Sequence, residues 1–196
     1  MAEPKPTSVL DGLTELMSGA SWSGATLAPG EVRAQINVRA RGDAPARAAT
    51  CLMVPALPEA NRVVTTPGGE CLWLGPEEWL VLGSPASRAA ILEALERAIG
   101  ADDGTAVDQS SSRVIVEIKG PSSRDVLASC CALDLHPRVF GPGQCAQTLI
   151  AKAPVLLSQG DATPTYRLFI RPSLAAYVVS WLVDGMQGVR AETAQA

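Results

Sequence analysis

A single histidine, His136, stands in a chain of 196 residues of which only 18% are charged. Acid–base catalysis needs a positioned base beside a nucleophile, and the run Leu133-Asp134-Leu135-His136-Pro137 marks no such partner. His136 reads as a surface or packing residue, and no catalytic residue is assigned. One imidazole without clustered carboxylates cannot fill a metal shell either, so no metal site is assigned. The five cysteines, Cys51, Cys71, Cys130, Cys131 and Cys145, are odd in number and contain no C-x-x-C pair, which indicates neither a disulfide framework nor a zinc site. Sixteen Lys and Arg against 20 Asp and Glu leave a net charge of −4. Phosphate recognition needs a basic surplus, so no nucleic-acid partner is expected. No stretch approaches the ~20 apolar residues of a membrane helix, and residues 1–30 lack the apolar core of a signal peptide, so a cytoplasmic, membrane-free chain is expected. Gly68-Gly69 and Gly141-Pro142-Gly143 lack the preceding strand and following helix of a phosphate cradle and read as turns. Glu77 and Glu78 are adjacent, point to opposite faces of a strand and cannot share one substrate.

What is present is apolar patterning, with 47% hydrophobic residues. Residues 1–30 mix Pro, Ser, Gly and Thr with Val9-Leu10-Asp11-Gly12-Leu13 and a lone Trp22, and read as an extended N-terminal arm. Such an arm cannot bury its own apolar side chains. Leu10, Leu13 and Trp22 are therefore the candidate anchors on a partner, with docking on the chain's own surface as the alternative. From Glu31 the residues Val32, Ala34, Ile36 and Val38 alternate with polar ones, the period of a half-buried strand. Strands follow at Arg62-Val63-Val64, Cys71 to Leu74 and Trp79 to Leu82, separated by Gly- and Pro-bearing turns.

Ser84-Pro85 opens a helix with Ile91, Leu92, Leu95 and Ile99 on one face and Gly100 at its end. The same order of strand, proline and helix returns at Val114 to Lys119 with Pro121, and at Tyr166 to Ile170 with Pro172, where the last helix is expected to stop at Gly185. Ser122 and Asp125 resemble a capping box. With strands at Gln147–Lys152 and Val155–Leu157, the fold class is α+β: antiparallel sheets with helices on one face, in two pseudo-repeated halves. The expected division is an arm at 1–30, one domain at 31–188 and a flexible tail at 189–196. Trp73, Trp79 and Trp181 sit in apolar patterns and are expected in the core. Cys130 and Cys131 read as small core residues, with a thiol enzyme as the rival reading.

The ordered set Leu72-Trp73-Leu74-Gly75-Pro76-Glu77-Glu78-Trp79-Leu80, Asp108-Gln109-Ser110-Ser111-Ser112-Arg113, Val116-Glu117-Ile118-Lys119-Gly120-Pro121 and Phe140-Gly141-Pro142-Gly143 resembles the gamma subunits of heterotetrameric sarcosine oxidases, over Glu31 to Gly185. Those are similar in turn to the folate-binding fold of glycine-cleavage aminomethyltransferase, whose strand, Gly-Pro, helix step matches Ile118-Lys119-Gly120-Pro121-Ser122. The resemblance implies membership in a complex with alpha, beta and delta chains, chiefly against alpha. That complex demethylates sarcosine oxidatively to glycine, passes the one-carbon unit to tetrahydrofolate and produces hydrogen peroxide. It also implies that FAD, FMN, NAD and zinc reside on other subunits, leaving this chain without a bound cofactor. The acidic, asparagine-rich segment that holds folate in the aminomethyltransferases has no counterpart around Ala151 to Asp161. The resemblance therefore implies an architectural role. A free-standing folate-binding protein of the aminomethyltransferase class is the alternative.

Overall fold

A computed structural model describes residues 8–101 and 103–195. Its strand β2 (Ala34–Ala40) is buried at every residue but Arg39. The half-exposed strand expected there is corrected: Ile36, Val38 and Ala40 face helices, while Gln35 and Asn37 are shut in on the other face. Buried amides need partners. Gln35 donates from Nε2 to the Arg113 carbonyl at 2.9 Å, and Asn37 donates to Glu78 Oε1 at 2.9 Å.

The remaining strands are β1 (Thr26–Pro29), β3 (Val63–Thr66), β4 (Gly69–Gly75), β5 (Glu78–Gly83), β6 (Gly104–Asp108), β7 (Val114–Lys119), β8 (Gln144–Ile150), β9 (Ala153–Asp161) and β10 (Thr165–Ile170). The helices are α1 (Thr14–Ala20), α2 (Ala44–Cys51), α3 (Arg88–Ile99), α4 (Ser123–Ala128) and α5 (Ala175–Thr193). Two five-stranded antiparallel sheets result, ordered β3-β4-β5-β2-β6 and β8-β9-β10-β7-β1. The series β2-α2-β3-β4-β5-α3 is thus written again as β7-α4-β8-β9-β10-α5, each strand holding the same place in its sheet. These are the two halves expected from sequence.

The fifth strand of each sheet comes from the other repeat. β1 precedes β2 in the chain yet pairs with β7, and β6 precedes β7 yet pairs with β2. The connections that carry the chain across are pinned by matching hydrogen bonds, Gly30 N to Ile115 O at 2.8 Å and Gln109 N to Gln35 O at 2.7 Å. The far edges are joined the same way: Val63 N donates to Gly143 O at 2.9 Å and Cys145 N to Asn61 O at 3.0 Å.

Helices α1, α4 and α5 close one sheet around Met17, Leu127, Tyr166, Val178, Leu182 and Met186, while α2 and α3 close the other around Ile36, Val38, Ala48, Leu95 and Ile99. Leu72, Leu80, Leu82, Ile115, Leu156 and Phe169 fill the layer between the sheets. Arg167 and Glu70 bridge that layer by two charge-assisted contacts of 2.7 and 3.0 Å.

The extended arm is corrected over its described residues. A helical turn and α1 form within it, β1 joins a sheet, and Met17, Ala25 and Leu27 enter the core. Burying one apolar face against a sheet is what stabilises so short a helix. Residues 1–7 lie outside the described residues. At the other end α5 runs on through Gly185 to Thr193, so helix occupies residues 189–193 of the segment expected as a tail, with Ala196 outside the described residues. Gly185 is a contact and not a stop: a Cβ there would meet Ser129 Oγ at 2.6 Å, so its absence lets α4 and α5 approach. Gly120, at φ 124°, leaves room for the Gly24 carbonyl, which accepts from Ser122 N at 2.8 Å. The capping box expected there does not form, because the Ser122 side chain makes no capping bond.

Two outcomes follow. Met17→Ala should cost about 2–5 kcal/mol in urea unfolding of the isolated chain, since Met17 is fully buried. A loose arm would make the substitution silent. Glu70→Gln should cost about 1–3 kcal/mol by the same measurement, because it leaves the Arg167 guanidinium, 17% exposed, with a weaker partner between the sheets.

Candidate functional site

The groups able to do chemistry are dispersed. His136 is exposed, and its Nδ1 accepts from Arg138 N at 3.2 Å and from Arg138 Nε at 3.4 Å. Among the described residues, no three His, Cys, Asp or Glu side chains lie close enough together to hold a metal ion. No described helix is long and apolar enough to cross a membrane. The cysteines are free thiols built into the packing. Burial pushes Cys71 up to about 12, and Cys130 and Cys145 up to about 11. Cys145 Sγ reaches the Arg62 and Trp73 carbonyls at 3.3 and 3.4 Å, spanning from β8 to the other sheet. A nucleophilic thiol needs a lowered pKa, so these positions oppose thiol chemistry.

The motifs that stood out in the sequence are structural. Asp108 to Arg113 is the connection from β6 to β7. Asp108 Oδ1 accepts from Ser110 N and Oγ at 2.9 and 2.6 Å, and these bonds hold its carboxyl below the usual range. Ser110 Oγ accepts from Gln35 N at 3.0 Å, and Gln109 Oε1 from Arg113 Nη1 at 3.0 Å. Leu72 to Leu80 is the β4–β5 hairpin, which turns at Glu77, φ 61°, and continues into Trp79, whose Nε1 donates to the Pro58 carbonyl at 3.0 Å.

Exposed apolar side chains are better represented. Leu10 is only 4% exposed and belongs to the chain's own core, with Leu13 and Trp22 packed against it. As a partner anchor Leu10 is therefore corrected: its segment folds back on this subunit. Val9 and Leu16, from the same segment, face outward. Trp79 is buried as expected and Trp73 packs half-buried, but Trp181 is 41% exposed, which corrects its assignment to the core. It sits edge-on to Tyr177 with ring centroids 6.3 Å apart. Its helical pattern resembled a core position because Trp181 lies at the edge of the α5 stripe that buries Val178, Leu182 and Met186.

Two recesses adjoin the strand crossings. One, of about 420 Å³, is lined by Leu10, Pro29, Val32, Gln35, Val114 and Ile115 among others. The second, of about 300 Å³, lies at the end of β8, β9 and β10 and includes Arg113, Arg171, Gln147 and Leu149. The carboxylates lining the first, Asp11 and Glu31, are engaged by Ser8 N and by Arg33, and the described lining of the second has no carboxylate. The sequence reading missed the second because its arginines are 58 positions apart and meet only through the pairing of β7 with β10.

A family model of the sarcosine oxidase gamma subunit matches residues 40–188. The chain belongs to that family. The gamma subunit of Corynebacterium sp. strain P-1 is 32% identical over 194 residues, covering 95% of this chain and 94% of that one. That of Corynebacterium sp. strain U-96 is 36% identical over 119 residues, 61% of this chain and 57% of that sequence. A chain in the solved heterotetrameric sarcosine oxidase from strain U-96, in complex with pyrrole 2-carboxylate, superimposes with a TM-score of 0.85 at 31% identity, over 93% of this chain and 95% of that chain. The fold is also that of glycine cleavage aminomethyltransferase T from Bartonella henselae, with a TM-score of 0.62 at 15% identity over 89% of this chain and 48% of that one. The gamma-subunit resemblance and the aminomethyltransferase-like α+β fold read from the sequence are both found.

The buried thiols make a prediction with a definite sign. An unfolded cysteine ionises near about 8.5. Above that pH the unfolded chain releases protons that the folded chain keeps up to 11–12. The stability they contribute is full below about pH 8.5 and is lost as pH rises through the folded values. Urea midpoints should fall from pH 8 to pH 10, less steeply in Cys71→Ala, and iodoacetamide should label Cys71, Cys130 and Cys145 slowly until urea is added.

Proposed function

We propose that this chain is a non-catalytic, architectural subunit of a heterotetrameric sarcosine oxidase. The near end-to-end match to a chain of such an assembly, at a TM-score of 0.85, carries the reading. The complex demethylates sarcosine to glycine, transfers the one-carbon unit to tetrahydrofolate and yields hydrogen peroxide. FAD, FMN, NAD, zinc and tetrahydrofolate are held by the alpha, beta and delta chains, and this chain packs chiefly on alpha in the cytoplasm.

The exposed apolar groups support a docking role. Tyr177 and Trp181 on α5, Leu149 on β8, and Val9 and Leu16 beside the partly exposed Leu13 and Trp22 offer contacts of the aromatic and aliphatic kind that dominate subunit interfaces. Large aromatic side chains held on a helix lose little conformational freedom when they are covered. That favours Trp181 as an anchor over any residue of a loop.

Coexpression with the other three subunits should recover this chain in stoichiometric amount with the flavin-bearing chains. The isolated chain should neither oxidise sarcosine nor give a saturable signal on titration with a reduced folate. Recovery of the chain alone, or turnover by it alone, overturns the reading. Trp181→Ala should leave the melting temperature of the isolated chain nearly unchanged and weaken assembly about 10-fold or more, as measured by size-exclusion chromatography across a dilution series.

A further inference from the structure

Register carries Arg171 and Arg113 to one place. The last ladder pair of β10 and β7 is Ile170–Val114, so one step beyond it Arg171 lies across from Arg113. Side chains alternate along a strand, which puts both on the face of Phe169 and Ile115. The row Ile115, Phe169, Leu156, Gln147 runs across four strands and closes against the other sheet, with Gln147 Nε2 donating to the Leu74 carbonyl at 2.6 Å. The next row outward on that face, Arg113, Arg171, Pro154, Leu149, lines the 300 Å³ cleft, and Leu149 is 47% exposed there.

This row holds cations without anions. Among the described residues, neither guanidinium has a carboxylate within ion-pair distance, and the only polar side-chain partner of Arg113 is Gln109. Burial, and after it the Arg171 charge, pushes Arg113 below its usual value, against the opposing pull of Glu78. Glu78 is itself held by Asn37 and Arg39. Arg171 also stands at the N-cap of the helical turn leading into the 19-residue α5, where the helix dipole disfavours a cation.

The other repeat shows the same position neutralised. There the last ladder pair is Ala34–Gly83, and the residues one step beyond are Arg33 and Ser84, followed by Pro85 as Arg171 is by Pro172. Arg33 is ion-paired with Glu31, and Ser84 caps its helix by accepting from Ser87 N at 3.2 Å. In the second repeat the capping serine is an arginine, and Ser111 stands where the first repeat has its acid, Glu31. One fold position is electrostatically complete in one half and two anionic contacts short in the other.

We propose that the Arg113–Arg171 cleft receives a carboxylate from an acidic side chain of a partner subunit, with Leu149 and Pro154 as the apolar wall beside it. A carboxylate matches the planar fork of a guanidinium, relieves the repulsion between the two arginines and suits the start of α5. The exposed leucine in the same row favours a polypeptide over a free small acid, since an anchor of charge beside apolar contact is what a subunit interface presents. The inference rests on the proposed membership in a complex.

The test is assembly of the full heterotetramer with Arg171→Gln, Arg113→Gln and the double variant, against Arg190→Gln as an exposed arginine elsewhere. Among the described residues the Arg171 side chain makes no ion pair, so Arg171→Gln should fold with an unchanged or raised melting temperature. It should weaken assembly about 10-fold or more and flatten the dependence of assembly on salt, with Arg171→Lys intermediate and Arg190→Gln silent. Wild-type assembly matched by the variants at every salt concentration overturns the cleft alone. Failure of the wild type to assemble overturns the complex and the cleft together. If citrate or glutamate raises the melting temperature of the isolated wild-type chain but not of Arg171→Gln, while assembly is unaffected, the cleft serves a free acid and the partner assignment falls.

Discussion

The exchange of β1 and β6 between the two repeats is the constraint on which the other contacts depend. Neither repeat can complete its own sheet, because the strand that flanks β2 or β7 is drawn from the opposite one. Thr26 reaches across 93 positions to the Lys119 carbonyl, so this pairing is among the most non-local in the chain. Its loop-closure entropy must be met before the strand contacts reward it. The connections that cross between sheets are correspondingly dense in specified hydrogen bonds, and the polar run Asp108 to Arg113 exists to hold one of them. α1 follows from the same exchange. Once β1 is seated beside β7, the helix before it lies over the sheet, and Met17 and Leu10 find a core that a loose segment could not have reached.

Legibility in the sequence tracked how local each signal was. Strands β4, β5, β7 and β10 and helix α3 announced themselves because an apolar face and a turn or cap sit within a few residues of one another. β6 was not legible: only Ala106 among its five residues is buried, so no alternation marks it. α1 was hidden by its length, since seven residues with two glycine or serine positions have little intrinsic helical preference. Gly185 was read as a stop because glycine commonly ends helices, whereas here the close approach of Ser129 sets the residue and the helix continues. Trp181 illustrates the remaining gap. Helical period places it beside buried residues, but whether a flank is covered depends on a neighbour that only the tertiary arrangement, or a partner, supplies.

The internal repeat also separates what the fold needs from what this protein adds. Positions that coincide in both halves, such as the paired bonds at Asn61–Cys145 and Gly143–Val63, hold the sheets together and carry no chemistry. The layer between the sheets is filled with leucines and closed by the Arg167–Glu70 pair, so its interior is devoted to cohesion. Positions where the halves part company lie at the rim. Arg33 has Glu31 beside it while Arg113 has Arg171, and that difference stabilises nothing within the chain. A like-charged pair at a helix start raises the energy of the isolated subunit. Natural chains keep such features where a second body removes the penalty, so the place at which the repeat's symmetry breaks electrostatically is the place to look for the surface that another subunit covers.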